Sequence, residues 1–99
     1  MLVTAILLAT VAAAAGLHQI AQKRRAFAVG NLAITSGDHV VFTNEDEFLH
    51  QIYVDSPAMT FDSPEQPPGQ TIEVVFSRRG TFRVRCHIHP KMLLIVRVE

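Results

Sequence analysis

From residue 17 onward, apolar and polar residues alternate along the chain, and no stretch shows sustained helical periodicity. Alternation with a period of two is typical of β-strands whose faces meet different environments. It predicts strands over residues 17–23, 27–35, 40–43, 50–55, 71–77, 81–86 and 93–98. We therefore expect an all-β domain in which two sheets pack face to face.

Glycine and proline mark the connections between the predicted strands. Gly37 and Gly80 lie where tight turns are expected, because glycine accepts backbone angles that other residues resist. Adjacent prolines in residues 63–70 predict a long loop, since proline has no N–H to give to a strand ladder. The sandwich is thus expected to have one long connection.

The first seventeen residues carry no charge and are mostly apolar. They predict an N-terminal apolar helix over residues 1–16, acting as a signal peptide or a membrane anchor. Ala13 and Ala15 fit the small-x-small pattern of a cleavage site, whereas the basic residues 23–25 follow the apolar run, which favours an anchor. We expect export, with one folded domain over residues 17–99.

The composition limits the partners of this domain. The chain has 99 residues with nine basic and nine acidic side chains, which indicates one small domain and gives no support for a nucleic-acid partner. We expect a monomer that contacts a membrane only if the N-terminal segment is retained.

Cys86 is the only cysteine, so it cannot close an internal disulfide. It is therefore an intermolecular partner, a buried inert thiol or a metal ligand. Alternation places Cys86 on the inward face of its strand together with Val84. The same pattern places His50 inward with Ile52, whereas Gln51 is expected to face outward.

Four residues in this pattern point to a metal. Cys86, His89 and Met92 follow one another at intervals of three, and His50 lies upstream. A thiolate and two imidazoles with a distant thioether suit copper that alternates between two oxidation states. A structural zinc site is an alternative, although the thioether favours copper.

The sequence Cys-x-x-His-x-x-Met after a strand, with a lone upstream histidine, resembles the cupredoxins of the plastocyanin and amicyanin type. Residues 36–46, Ser-Gly-Asp-His-Val-Val-Phe-Thr-Asn-Glu-Asp, are similar to the turn and strand before the first histidine in this family. The resemblance implies a Greek-key β-sandwich with one type 1 copper ion bound by four metal ligands. Those ligands would be His50, Cys86, His89 and Met92.

Two positions depart from the family pattern. Gln51 follows the first histidine where plastocyanin and amicyanin have asparagine, and Leu93 and Leu94 follow Met92 where small or polar residues are common. Because outer hydrogen bonds orient ligands and tune a metal's potential, we expect Gln51 to alter the surroundings of the site.

The resemblance also implies how partners approach. His89 is expected to be the imidazole nearest solvent, within a docking rim formed by Leu49, Met59 and Pro90. The acidic residues 45–47 precede His50 and could orient a basic partner.

The remaining histidines are expected at the surface. Adjacent strand residues face opposite ways, so His87 should diverge from Cys86, and His39 follows a turn. Cleavage after Ala15 would expose the sequence Gly-Leu-His ending at His18, which can bind copper(II) in a square plane.

The resemblance implies an exported one-electron carrier that works between a redox protein donor and acceptor. It would be periplasmic or extracellular, and membrane-anchored if the N-terminal segment is retained. The alternative is periplasmic copper storage or delivery. An enzyme is disfavoured, because four protein ligands leave no open coordination position for a substrate.

Overall fold

The computed structural model describes residues 2–6 and 14–99, and all regular secondary structure in them is β-strand. The strands are β1 (Leu17–Lys23), β2 (Ala26–Phe27), β3 (Asn31–Ile34), β4 (Asp38–Asn44), β5 (Tyr53–Ser56), β6 (Met59–Asp62), β7 (Thr71–Phe76), β8 (Gly80–Arg85) and β9 (Leu93–Val98).

The strands form two sheets. One has the order β2-β1-β4-β7 and the other the order β3-β9-β8-β5-β6. The pairs β1 with β4 and β3 with β9 are parallel, and the other pairs are antiparallel. The prediction of an all-β sandwich is confirmed.

The core lies between the sheets and takes alternate residues from both. Phe76 of the first sheet packs against Phe82 of the second, with ring centroids 6.0 Å apart. Phe27 and Phe42 pack edge to face at 5.7 Å. Burying one such side chain contributes roughly 1.5–3 kcal/mol, so the contact between Phe76 and Phe82 helps to hold the two layers together, whereas Phe27 and Phe42 pack within the first sheet.

Several strand boundaries differ from the prediction. The predicted strand over residues 27–35 is wrong, because its ends belong to different sheets. Ala28 N–H donates to Ala21 of the first sheet, whereas the carbonyl of Gly30 accepts from Ile95 of the second. The chain therefore crosses between the layers here. Strand β6 was not among the predicted strands.

The predicted N-terminal helix over residues 1–16 falls partly outside the described residues. Residues 2–6 and 14–16 form neither helix nor strand, and residues 7–13 are not described. In the part of the chain that is described, no helix is long and apolar enough to cross a membrane.

The carboxylate of Asp38 ties the start of β1 to the start of β4. It accepts the N–H groups of Gly16 at 2.7 Å and Thr35 at 3.0 Å, and it pairs with His18 Nε2 at 2.9 Å. The hydrogen bond from His18 and those from the two backbone amides lower the pKa of Asp38 to about 2. Asp38 thus anchors the first strand in its ionised form.

We predict that Asp38→Asn lowers stability in a pH-dependent way. Because the pKa of Asp38 is lower when folded, its contribution to stability is complete above the ordinary value of 3.8 and is lost as the pH falls through about 2. The urea midpoint of the metal-free variant should lie below that of the wild type at pH 7, and the gap should close towards pH 2.

The matched control is Asp55→Asn, which removes an exposed carboxylate from the outer face of β5. Its urea midpoint should stay close to the wild-type value. A gap between Asp38→Asn and the wild type that did not change with pH would contradict the anchoring role.

Candidate metal centre

The structure brings together three of the four predicted site residues. The donor atoms of His50, Cys86 and His89 all lie within 4.8 Å of one another. Cys86 Sγ is 3.9 Å from Nδ1 of each histidine. The Cys86 and His50 side chains are fully buried, whereas His89 is partly exposed and is therefore the more accessible imidazole, as expected.

The segment of residues 86–92 carries Cys86, His89 and Met92 between two paired strands. Arg85 pairs with Leu93 at the base of this loop, so strands β8 and β9 fix both of its ends. The N–H of Met92 donates to the carbonyl of His89 at 3.0 Å and closes the turn. Met92 is 2% exposed and belongs to the core cluster.

His50 lies in a loop, so the prediction that it belongs to a strand over residues 50–55 is wrong. Strand β5 begins only at Tyr53. His50 instead forms a single antiparallel bridge with Gln66, with its N–H donating at 3.1 Å and its carbonyl accepting at 2.8 Å. The loop over residues 63–70 therefore holds this histidine.

Buried amide side chains support that bridge. Gln66 Nε2 donates to the carbonyls of Phe42 and Gln70, and Gln66 Oε1 accepts from Gln22 at 2.7 Å. Asn44 Nδ2 donates to the Gln66 carbonyl at 2.9 Å. These residues were not predicted from the sequence, although Gln22 and Asn44 occupy inward positions of their strands, where a polar residue is unusual.

Asp46 holds the far side of the His50 ring. Its Oδ2 lies 2.7 Å from His50 Nε2, and the two side chains are 6% and 0% exposed. A carboxylate only accepts, so Nε2 carries the proton and Nδ1 keeps its lone pair towards Cys86. The expected acidic surface of residues 45–47 therefore loses its central member, because Asp46 turns inward to satisfy this imidazole.

Opposing effects set the protonation of Asp46 and His89. Burial raises the pKa of Asp46, but the N–H of Arg25, the His50 imidazole and the N–H of Arg24 together hold it below its usual value. Burial lowers the pKa of His89, as do the neighbouring His50 ring and the Arg25 guanidinium, whereas the carboxylate of Asp46 raises it. A lowered pKa favours the neutral imidazole, the form that binds metals.

Gln51 is buried, contrary to the expectation that it faces outward. Its Nε2 donates to the carbonyls of Ile52 and Ser63 and to the carboxylate of Asp62. Its Oε1 accepts the N–H of His87 at 3.3 Å. The departure from asparagine thus creates a bridge between the loop after β6 and the residue next to Cys86.

The other histidines lie away from the three donors. His87 is exposed, as predicted, and its ring stacks on Tyr53 with centroids 3.6 Å apart. His39 pairs with Glu73 at 2.7 Å, and His18 pairs with Asp38. Because β1 pairs with β4 from Leu17 onward, the predicted square-planar site ending at His18 would require this end of β1 to leave the sheet.

Of the residues expected to form a docking rim, Leu49 and Pro90 are exposed. Leu49 is 40% exposed, and Ile88, which was not predicted, is 41% exposed. Met59 packs against the core and lies at the turn of the hairpin formed by β5 and β6. This turn is three residue pairs away from Tyr53, which pairs with Arg85. Met59 therefore does not belong to the rim.

Comparisons with known proteins agree with this geometry. A plastocyanin from Solanum crispum is 31% identical over 75 residues, which cover 65% of this chain and 76% of that protein. A purple cupredoxin from Nitrosopumilus maritimus superposes with a TM-score of 0.74 at 26% identity, covering 83% of this chain and 99% of the other. No protein-family model matches the chain.

An amicyanin variant in its reduced state has a TM-score of 0.78 at 22% identity, covering 88% of this chain and 86% of the other, and shows the fold alone. The two packed sheets and the cluster of one thiol and two imidazoles define a small metal-binding β-sandwich. The chain belongs to the cupredoxin family, with a likeness to plastocyanin and amicyanin. Its donor set fits one copper ion, the cofactor of that family.

We predict that Gln51→Asn weakens the bridge to the loop after Cys86. Asparagine is one methylene shorter and cannot reach both Ser63 and His87. Loss of one buried hydrogen bond should cost about 1 kcal/mol, and exchange of the His87 amide proton should become about fivefold faster. Hydrogen exchange followed by NMR measures this in the metal-free protein.

The matched control is Gln19→Asn, which shortens an exposed glutamine on β1. It should leave the exchange of the His87 amide unchanged. An equal rate in the wild type and Gln51→Asn would show that Gln51 does not hold this loop.

Proposed function

We propose that the protein is an exported one-electron carrier that binds one type 1 copper ion through His50, Cys86 and His89, with Met92 as the distant axial ligand. The observation that carries this proposal is the convergence of a buried thiol and two imidazoles from separate loops. The thiol sulfur lies 3.9 Å from a nitrogen of each imidazole, a separation that an ion about 2.0–2.3 Å from its imidazole and thiolate ligands can span.

The bound copper supplies a one-electron change between two oxidation states. The protein's part is to limit how far the ligands move. Buried Cys86 and His50 exclude water from the inner side, and Asp46 fixes the ring of His50. The strands on both sides of residues 86–92 restrain the other ligands. A small rearrangement permits fast electron exchange.

Partners would dock where His89 reaches the surface. His89 is the partly exposed ligand, and its ring lies edge to face with Phe48 at 6.2 Å. Exposed Leu49 and Ile88 would supply an apolar contact, while Glu45 and Glu47 remain available to orient a basic partner. Electrons from a donor protein and to an acceptor protein would pass through the His89 edge.

We propose export to a periplasmic or extracellular location, with residues 1–16 as signal peptide or anchor. Among the described residues, Gly16 at the end of this segment already contacts the sandwich. Gly16 donates its N–H to Asp38, and its carbonyl accepts the N–H of His39. A monomer is expected, with membrane contact only if the leader is retained.

We predict that copper-loaded protein shows an intense thiolate-to-copper absorption band and that Cys86→Ser abolishes it, because serine supplies no thiolate. Visible and electron paramagnetic resonance spectra measure this. The control is His87→Ser at the adjacent exposed position, which should keep the band. A band that survives in Cys86→Ser would remove Cys86 from the site.

Cyclic voltammetry separates the two functions proposed for such a site. A reversible one-electron wave supports a carrier. An irreversible wave with loss of copper on reduction would favour storage or delivery.

We predict that Met92→Leu keeps copper bound and raises the reduction potential, because the oxidised ion loses a weak donor. The swap conserves volume and should cost less than about 1.5 kcal/mol of stability. Voltammetry with Met59→Leu as the control, a methionine packed against the same core, isolates the effect. Equal potentials in Met92→Leu and the wild type would argue against axial coordination.

A further inference from the structure

The turn between β1 and β2 has an unusual backbone. Lys23 pairs with Ala26, which leaves Arg24 and Arg25 as a two-residue turn, and both have a φ of 55°. Such turns favour Asn-Gly, because both central residues need positive φ. The left-handed conformation costs about 1–2 kcal/mol for each ordinary residue, so two arginines here require a compensating interaction.

The carboxylate of Asp46 provides that interaction. The N–H of Arg24 donates to Asp46 Oδ1 at 2.5 Å, and the N–H of Arg25 donates to Oδ2 at 2.9 Å. Successive amides in such a turn form a concavity that binds anions. Asp46 Oδ2 also accepts from His50 Nε2 at 2.7 Å, so a single carboxylate joins the turn to the imidazole.

The same turn reaches the second imidazole through a side chain. The guanidinium of Arg25 lies 3.9 Å from the centroid of the Phe48 ring. Phe48 in turn packs edge to face against His89. The turn therefore contacts a neighbour of each histidine, one through its backbone and one through a cation–π contact.

We infer that the Arg24-Arg25 turn is a positioning element for the metal centre, because its two amides fix the Asp46 carboxylate that orients His50. The inference rests on the proposed function and adds residues far from the donors in sequence. The strained turn and the buried carboxylate depend on each other. Neither residue of the turn touches the three donor atoms directly.

The direction of the effect follows from charge. A carboxylate on Nε2–H makes His50 a stronger electron donor, which favours the oxidised ion and lowers the reduction potential. Releasing the carboxylate from the turn weakens this effect. Disruption of the turn should therefore raise the potential, in the same direction as Asp46→Asn.

The test inserts one glycine between Arg24 and Arg25, which lengthens the turn and moves its amides off the carboxylate. We expect the reduction potential to rise by about 59 mV. For a one-electron couple this corresponds to a tenfold change in the ratio of the affinities for copper(II) and copper(I). Asp46→Asn should raise the potential at least as far and weaken copper(II) binding roughly 10- to 100-fold. A double variant that combines the insertion with Asp46→Asn should have the same reduction potential as Asp46→Asn alone.

Two controls separate positioning from general destabilisation. Arg24→Asn keeps a residue that tolerates positive φ and should leave the potential unchanged. A glycine inserted between Arg79 and Gly80, at the opposite end of β8 from Cys86, should lower the melting temperature without moving the potential. A wild-type potential after the Arg24-Arg25 insertion, or effects that add with Asp46→Asn, would overturn the inference.

A readout in metal-free protein keeps this inference apart from the proposed function. In the wild type, NMR should detect a slowly exchanging His50 Nε2 proton, and the insertion in the turn should accelerate its exchange at least tenfold. An unchanged proton would refute the role of the turn. Absence of the thiolate-to-copper band in the wild type would instead refute the proposed function.

Discussion

The metal centre depends on the two backbone hydrogen bonds that join His50 to Gln66. His50 lies outside the strands, so no sheet ladder fixes its position. The bridge places it beside Cys86, and Gln66 is fixed in turn by buried amides from β1 and β4. Because buried polar groups are costly unless they are paired, this network holds one arrangement and tolerates few others.

Stability and function meet in the polar contacts around that bridge. Asp46 satisfies two turn amides and an imidazole together, so its burial serves the fold and the ligand at once. Gln51 joins the loop after β6 to the backbone next to Cys86. Asp38 has no part in the metal centre and only anchors the first strand. The residues around the donors therefore stabilise the fold and also orient the metal ligands.

The alternation along the sequence was enough to predict the sandwich, the inward direction of Cys86 and the outward direction of His87. It failed where the partner of a residue is distant in sequence. Nothing local to residues 27–35 shows that their two ends pair with different sheets. The inward turn of Asp46 depends on amides more than twenty residues away, at Arg24 and Arg25. Gln51 was predicted to face outward because the alternation was extended to residues 50–52, which precede the start of β5 at Tyr53.

The position of β9 has a consequence for how the chain becomes a folded protein. This last strand lies inside its sheet, between β3 and β8, and the pairing with β3 is parallel. The second layer therefore cannot close until residues 93–98 have joined both neighbouring strands. Pairing of such distant segments makes folding slow.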